Sequence, residues 1–157
     1  SWNGGGFDLP VLNYRALKHG IQAPRYWETG DGDRDFKWTN YQSRYHSRHT
    51  DLMDVLASYN NRAFAKLDEI AVMLGFPGKL GMSGALVWDR FQEGGIKEIR
   101  DYCETDVLNT WLVYLRFEHM RGNLDDKDLE REFALVRGTL EEMNEPHTNE
   151  FLEAWSA

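Results

Sequence analysis

The sequence predicts a mainly helical chain. Several windows place apolar residues at the three- and four-residue spacing of an amphipathic helix. Glycine and proline punctuate the gaps between those windows. Strand signals are scarce, leaving room for one or two strands, and there is no internal repeat.

Residues 8–19, DLPVLNYRALKH, open the series. Pro10 falls in the first turn, where a missing N–H costs little, and Gly20 follows the end. Leu9, Leu12, Tyr14 and Leu17 supply the apolar surface of this helix. Residues 21–48 form a polar, aromatic-rich connector with turn signals at GDGD, and a connector of that length is usually functional or mobile. HTDLMDVLASY fits a short strand or a helix; in the helical reading Asp51 and Asp54 lie about one turn apart. KLDEIAVMLGF is an amphipathic helix with Leu67, Ile70, Ala71 and Leu74 on one face and Gly75 at its end. PGKLGMSG is a glycine-rich loop, and ALVWDRFQEGG is a short helix stopped by Gly94 and Gly95. IKEIRDYCETDVLNTWLVYLRFEHM gives the longest helix, ending near Gly122. The acidic segment after it reads as one more helix with a frayed end.

With 157 residues and 41% apolar content, the chain can bury one good core, which predicts one compact domain. Aromatic residues make up 13%, six of them Trp, and this excludes wholesale disorder. The single cysteine, Cys103, excludes an internal disulfide and fits a reducing compartment. No apolar run approaches the roughly 18 residues of a membrane span, and no window carries a secretory-signal pattern. The expectation is a soluble, cytoplasmic protein.

The net charge of −8 is unevenly spread. Residues 1–117 carry 14 Lys+Arg against 15 Asp+Glu, and residues 118–157 carry 4 against 11. The acidity belongs to the C-terminal segment, so the near-neutral body remains compatible with a polyanionic substrate.

Two acidic residues stand out by context. Asp8 follows the glycine turn NGGGF at a helix start, where free N–H groups and the macrodipole favour anions. Asp106 lies four residues after Tyr102, which puts phenol and carboxylate on one helix face. Such a pair, facing a second carboxylate, can hold a divalent cation and orient its water. Taken by spacing alone, an ordinary helix cap and a chance Tyr–Asp neighbour explain the same residues.

The order WNGGGFDLPVL, HTDLMDVLASY, KLDEIAVMLGFPGK, YCETDV closely resembles the DEDDy class of 3′–5′ exonucleases. Within it, the chain is most similar to the stand-alone exonucleases related to the proofreading domain of family B DNA polymerases. The resemblance spans roughly residues 2–117: its second motif falls on Asn3 to Asp8 and its third on Tyr102 to Asp106. It implies an α/β, ribonuclease-H-like fold, a mixed central sheet flanked by helices, and hydrolysis of nucleotides from a 3′ end with two divalent cations, Mg²⁺ or Mn²⁺. Residues 1–117 are then the C-terminal part of the exonuclease domain, and 118–157 its acidic helical tail. Asp8 and Asp106 are implied as metal ligands, Tyr102 as the residue that aims the attacking water, and Asn3 and Phe7 as the lining of the terminal nucleotide's path. The expected partner is single-stranded or 3′-ended nucleic acid, DNA in the first instance, with no membrane.

The family's first motif, an Asp-x-Glu pair on the first strand, is expected upstream of Ser1, together with three strands and a helix. On that expectation the chain starts inside its second motif and is α-rich because those strands are absent, and residues 1–157 alone have little or no nuclease activity. Helix faces without their sheet would be exposed, favouring a homo-oligomer or cover by residues outside the chain. The alternative is a non-catalytic helical module that binds nucleic acid or a protein.

Other features have simpler readings. His46, His49, Asp51 and Asp54 could suggest a zinc site, but no cysteine joins them and the order differs from helical zinc motifs. Arg44, His46, Arg48 and His49, with Lys37 and Trp38, suit phosphate contact and base stacking as well as a solvated loop. FPGKLGMSG lacks the Walker spacing, so Lys79 either touches a nucleic-acid backbone or sits in a plain interhelix loop. Trp88, Phe91, Trp111, Tyr114 and Phe117 read as core packing, and Cys103 as a small buried hydrophobe.

Overall fold

The computed structural model describes residues 1–45 and 47–155, so His46 lies outside the described residues. All regular structure among the described residues is helical, in line with an α-rich chain and without the one or two strands for which the sequence leaves room. HTDLMDVLASY resolves to a helix. Two compact units divide the chain, Ser1–Phe64 and Ala65–Ala157.

In the first unit, helix α1 spans Asp8–His19 and helix α2 spans Leu52–Leu56, with single 3-10 turns at Arg34–Phe36 and Asn61–Ala63. Gly20 closes α1 at a positive φ of 63°, which a residue without Cβ adopts at little cost. No residue of α1 is buried. Its expected apolar surface lies in the open: Leu12, Tyr14 and Leu17 are 62%, 74% and 81% exposed. The core of this unit gathers instead around Phe36 and Leu52. The guanidinium groups of Arg48 and Arg25 sit 3.5 and 4.2 Å from the Phe36 ring centroid, so two cations of the polar connector cover its central apolar side chain. The connector is ordered by local turns: one carboxylate oxygen of Glu28 accepts the N–H groups of Gly30 and Gly32.

The second unit holds α3 (Leu67–Met73), α4 (Val87–Gln92), α5 (Ile96–Met120), α6 (Asp126–Met143) and α7 (Pro146–Ala154). α5 is the axis on which α3, α4, α6 and α7 all pack. It presents Leu112, Val113, Leu115 and Phe117 inward, and α3 adds Ala71 from the face its periodicity predicts. Trp88, Phe91 and Trp111 are not core, contrary to expectation, being 65%, 52% and 44% exposed. Neighbouring side chains of α5 take the inward positions, while Trp88 and Phe91 stack on each other outside with ring centroids 5.9 Å apart. Tyr114 is half-buried, and Phe117 alone of this group is buried. Cys103 is exposed rather than buried, because the helix face that seats Thr105 and Asn109 turns it outward.

The acidic tail also departs from expectation. Beyond α6 the chain turns at Asn144, with φ of 48°, and forms α7 instead of fraying. Pro146 stands in the first turn of α7, and the side chains of Glu145 and Thr148 cap each other's backbone. α7 buries Phe151, and Trp155 just beyond it joins Phe76, Phe133 and Phe151 in edge-to-face contacts with centroids 5.7 to 6.3 Å apart. Full burial of each such ring stabilises the fold by about 2–3 kcal/mol, enough to hold an otherwise acidic segment in place. No helix among the described residues is long and apolar enough to cross a membrane.

Candidate active site

The glycine turn of the first unit is built around a carboxylate that sequence reasoning gave no role. Asn3 adopts φ of 60°, and its carbonyl accepts the N–H groups of Gly6 and Phe7 at 3.1 and 3.0 Å. The two oxygens of Asp51, buried at 9% exposure, accept the N–H groups of Asn3 and Gly5 at 2.8 Å each. Backbone amides of the turn thus converge on an anion, and that anion is Asp51 rather than the Asp8 that the helix start singled out. A Cβ at Gly6 would meet the side-chain oxygen of Asn3, which would have to swing aside.

The turn fixes where α1 begins. Asp8 is its first residue and is exposed, and Phe7 before it is 64% exposed. Asn3 and Gly6 line a cleft of about 440 Å³ together with Tyr26, Arg44, His49 and Tyr59. Phe7 and Asp8 are not among its walls. Asp51→Ala strips two charge-assisted bonds from the turn and is expected to destabilise the protein by about 1–3 kcal/mol. Urea unfolding followed by far-UV circular dichroism reads this, and an unchanged midpoint would show that the turn holds without its clamp.

Part of the connector's basic character is used internally. Arg44 pairs with Asp54 at 2.6 Å, and Arg48 donates to the carbonyl of Asp35 while covering Phe36. The His49 ring lies 2.8 Å from the Ser1 hydroxyl. With Asp51 bound to the turn and Asp54 to Arg44, the second unit rather than this segment holds the described cluster whose ligand atoms are close enough to share a cation: Asp101, Glu104 and His147. Lys37 and Trp38 do stay outward, the ammonium 5.3 Å from the indole centroid and the indole 85% exposed.

In the second unit, α5 brings Tyr102 and Asp106 together as the four-residue spacing predicts. The phenol and the carboxylate are close enough for each to act on the other's proton affinity. Burial, and then the Asp106 carboxylate, push the phenol up to about 12, so it stays a proton donor at any physiological pH. Burial also raises the Asp106 carboxyl above its ordinary value; the Tyr102 phenol and the Lys79 charge oppose the shift, and the Asp68 charge adds to it. The backbone N–H of Gly84 acts on the phenol in the opposite sense and lowers it.

A buried amide holds the adjoining loop. Asn109, 1% exposed, accepts the N–H of Gly78 at 3.0 Å and donates to the carbonyl of Gly78 at 2.7 Å and that of Thr105 at 3.0 Å. Asp68, in the first turn of α3, accepts the N–H of Lys79 at 2.7 Å. This is how KLDE and PGK, quoted for their resemblance alone, bring a second carboxylate and a lysine into the electrostatic range of Asp106. Asp68 and Asn109 were both missed by sequence reasoning. Asp68 had a signal, since it lies inside a motif already singled out.

The chain belongs to the family of predicted 3′–5′ exonucleases related to the exonuclease domain of PolB, whose model matches residues 1–155. No curated protein and no solved structure matches it.

Proposed function

We propose that the chain serves a metal-dependent 3′–5′ exonuclease acting on nucleic acid, DNA in the first instance, with Asp8, Tyr102 and Asp106 as its working residues and Asn3 and Phe7 against the terminal nucleotide. The carrying observation is the Tyr102–Asp106 pair on one face of α5: a phenol that keeps its proton beside a half-buried carboxylate whose burial disfavours its charge. A carboxylate in that state gains from a cation, and carboxylate and phenol oxygens are hard donors suited to Mg²⁺ or Mn²⁺. Asp8 is exposed in the first turn of α1, where its carboxylate is open to a cation.

The divalent cations would supply charge neutralisation at the attacked phosphodiester. The chain's own contributions are distinct. Tyr102 orients the attacking water by hydrogen bonding and keeps its proton throughout. Asp106 and Asp8 offer charge that solvent does not supply, and the Lys79 ammonium tempers the field at Asp106. Asn3 stands at the wall of the cleft, and the exposed Phe7 ring is free to stack on a base.

A 3′-labelled and a 5′-labelled single-stranded DNA, incubated with Mn²⁺ or Mg²⁺ and resolved on a gel, tests the reading. In a form that degrades the strand, Tyr102→Phe is expected to slow turnover by about 10²-fold and Asp8→Asn by about 10³-fold. Loss of label from the 5′ end would overturn the polarity, and full rates in Asp8→Asn would remove that residue from the site. The exposed Trp38 beneath Lys37 favours the second reading, a non-catalytic nucleic-acid-binding module. That reading gains if the strand binds with salt-sensitive affinity and is never shortened.

A further inference from the structure

His147, the second residue of α7, is 9% exposed, and its ring is held at one end only. Nε2 lies 2.6 Å from Oε2 of Glu104, and because a carboxylate can only accept, this short contact assigns the ring proton to Nε2. In the neutral ring this leaves Nδ1 as an acceptor. It is buried, it has no hydrogen-bond partner, and it faces Oδ1 of Asp101 at 3.7 Å. At that distance the two atoms make no hydrogen bond, and with the ring neutral they are two acceptors facing each other, an arrangement that a cation between them stabilises.

We propose that Asp101, Glu104 and His147 form a site for one divalent cation of the zinc class, with Nδ1 of His147 and Oδ1 of Asp101 as direct ligands and Glu104 fixing the ring through its other nitrogen. Metal–nitrogen and metal–oxygen bonds of about 2.1 Å close on a 3.7 Å separation with an angle of about 120° at the ion. That angle suits a low-coordinate zinc-type centre completed by solvent, which the partial exposure of Asp101 admits. A carboxylate on the far nitrogen of a ligating imidazole is the usual support for such a ligand, fixing its tautomer and orientation. One imidazole nitrogen with carboxylate oxygens favours Zn²⁺ or Co²⁺ over Mg²⁺, so this site differs in kind from the oxygen-donor residues above.

The surroundings leave those two atoms available. Lys97 holds Oδ2 of Asp101 and Arg100 holds Oε1 of Glu104, each at 2.7 Å, and both cations are 68% exposed. Glu145, whose charge acts on both, adds negative charge near the site. An ion here would tie the start of α7 to the turn of α5 that carries Tyr102. It rests on none of the nuclease assignments.

The test uses the 157-residue chain freed of metal and carrying Asp8→Asn and Asp106→Asn, which keeps the proposed nuclease ligands out of the readout. One equivalent of Co²⁺ is expected to raise a visible d–d band that Zn²⁺ displaces. Zn²⁺ at a hundred-fold excess over Kd should raise Tm by about 5 °C. Adding Asp101→Asn, an isosteric change on a partly exposed side chain, should abolish the band and the shift while leaving the metal-free Tm close to its parent. Glu104→Gln should weaken binding about 10- to 100-fold without removing it. No band in the parent, or an undiminished band with Asp101→Asn, would overturn the site and leave His147 as an ordinary ion-pair partner of the two carboxylates.

Discussion

Asp106→Asn is expected to remove hydrolysis, by about 10³-fold or more, while leaving the protein as stable at neutral pH as before or somewhat more so. The sign follows from the raised Asp106 carboxyl. Its folded-state value lies above the ordinary 3.8, and burial is the leading cause, so the folded chain binds that proton more tightly than the unfolded chain does. The resulting stability is fully present below pH 3.8 and is lost as pH rises through the folded value. Above that value the ionised group remains a standing cost, which a neutral amide of the same shape does not carry. The variant and parent should therefore melt together near pH 3 and diverge by about 2–4 °C at pH 7, with the variant higher. Thermal scans from pH 3 to 8 beside the gel assay check both halves. A variant that melts lower across the whole range would mean that the carboxylate is a structural ion-pair partner, and a variant that still cuts would place the chemistry elsewhere.

Asn109→Ala should produce the largest loss of stability, about 2–4 kcal/mol. The amide makes three bonds in a site with 1% exposure, and alanine leaves the N–H and the carbonyl of Gly78 without those partners. Gly78 cannot compensate: it sits at φ of 67°, and a Cβ there would lie 2.6 Å from Asp68 and 2.7 Å from Val72. Equilibrium urea unfolding measures the loss. Because the same loop presents Lys79, hydrolysis by a stabilised background carrying Asn109→Ala should also fall, whereas a variant within 0.5 kcal/mol of its parent would show that water replaces the amide without cost.

The long helix and the Tyr102–Asp106 pair were legible in the sequence because both are local. Four residues along one helix fix a neighbour relationship whatever else the chain does, and α5 spans the window its periodicity marks out. The glycine turn and the helix start that follows it were legible for the same reason. What the sequence did not show is the anion that the turn's N–H groups hold. Asp51 lies more than 40 positions from the turn, and no local pattern encodes that pairing. Asn109 and Gly78 are 31 positions apart, and His147 and Glu104 are 43 apart. The aromatic error has another cause: Trp88, Phe91 and Trp111 are apolar enough to belong in a core, but the packed seam of α5 was already filled by branched aliphatic side chains. In the tail, Pro146 and the Glu145–Thr148 exchange marked a helix start, and the acidic composition around them obscured it.

Trp155 carries a practical consequence. Of the six tryptophans it is the one fully enclosed, and the guanidinium of Arg137 lies 3.8 Å from its ring centroid. Trp27, Trp38, Trp88 and Trp111 face solvent. The blue edge of the intrinsic fluorescence therefore belongs to a single indole in a single unit, and acrylamide quenching divides the emission accordingly. The chain has a built-in optical probe for loosening of α7, with no label attached.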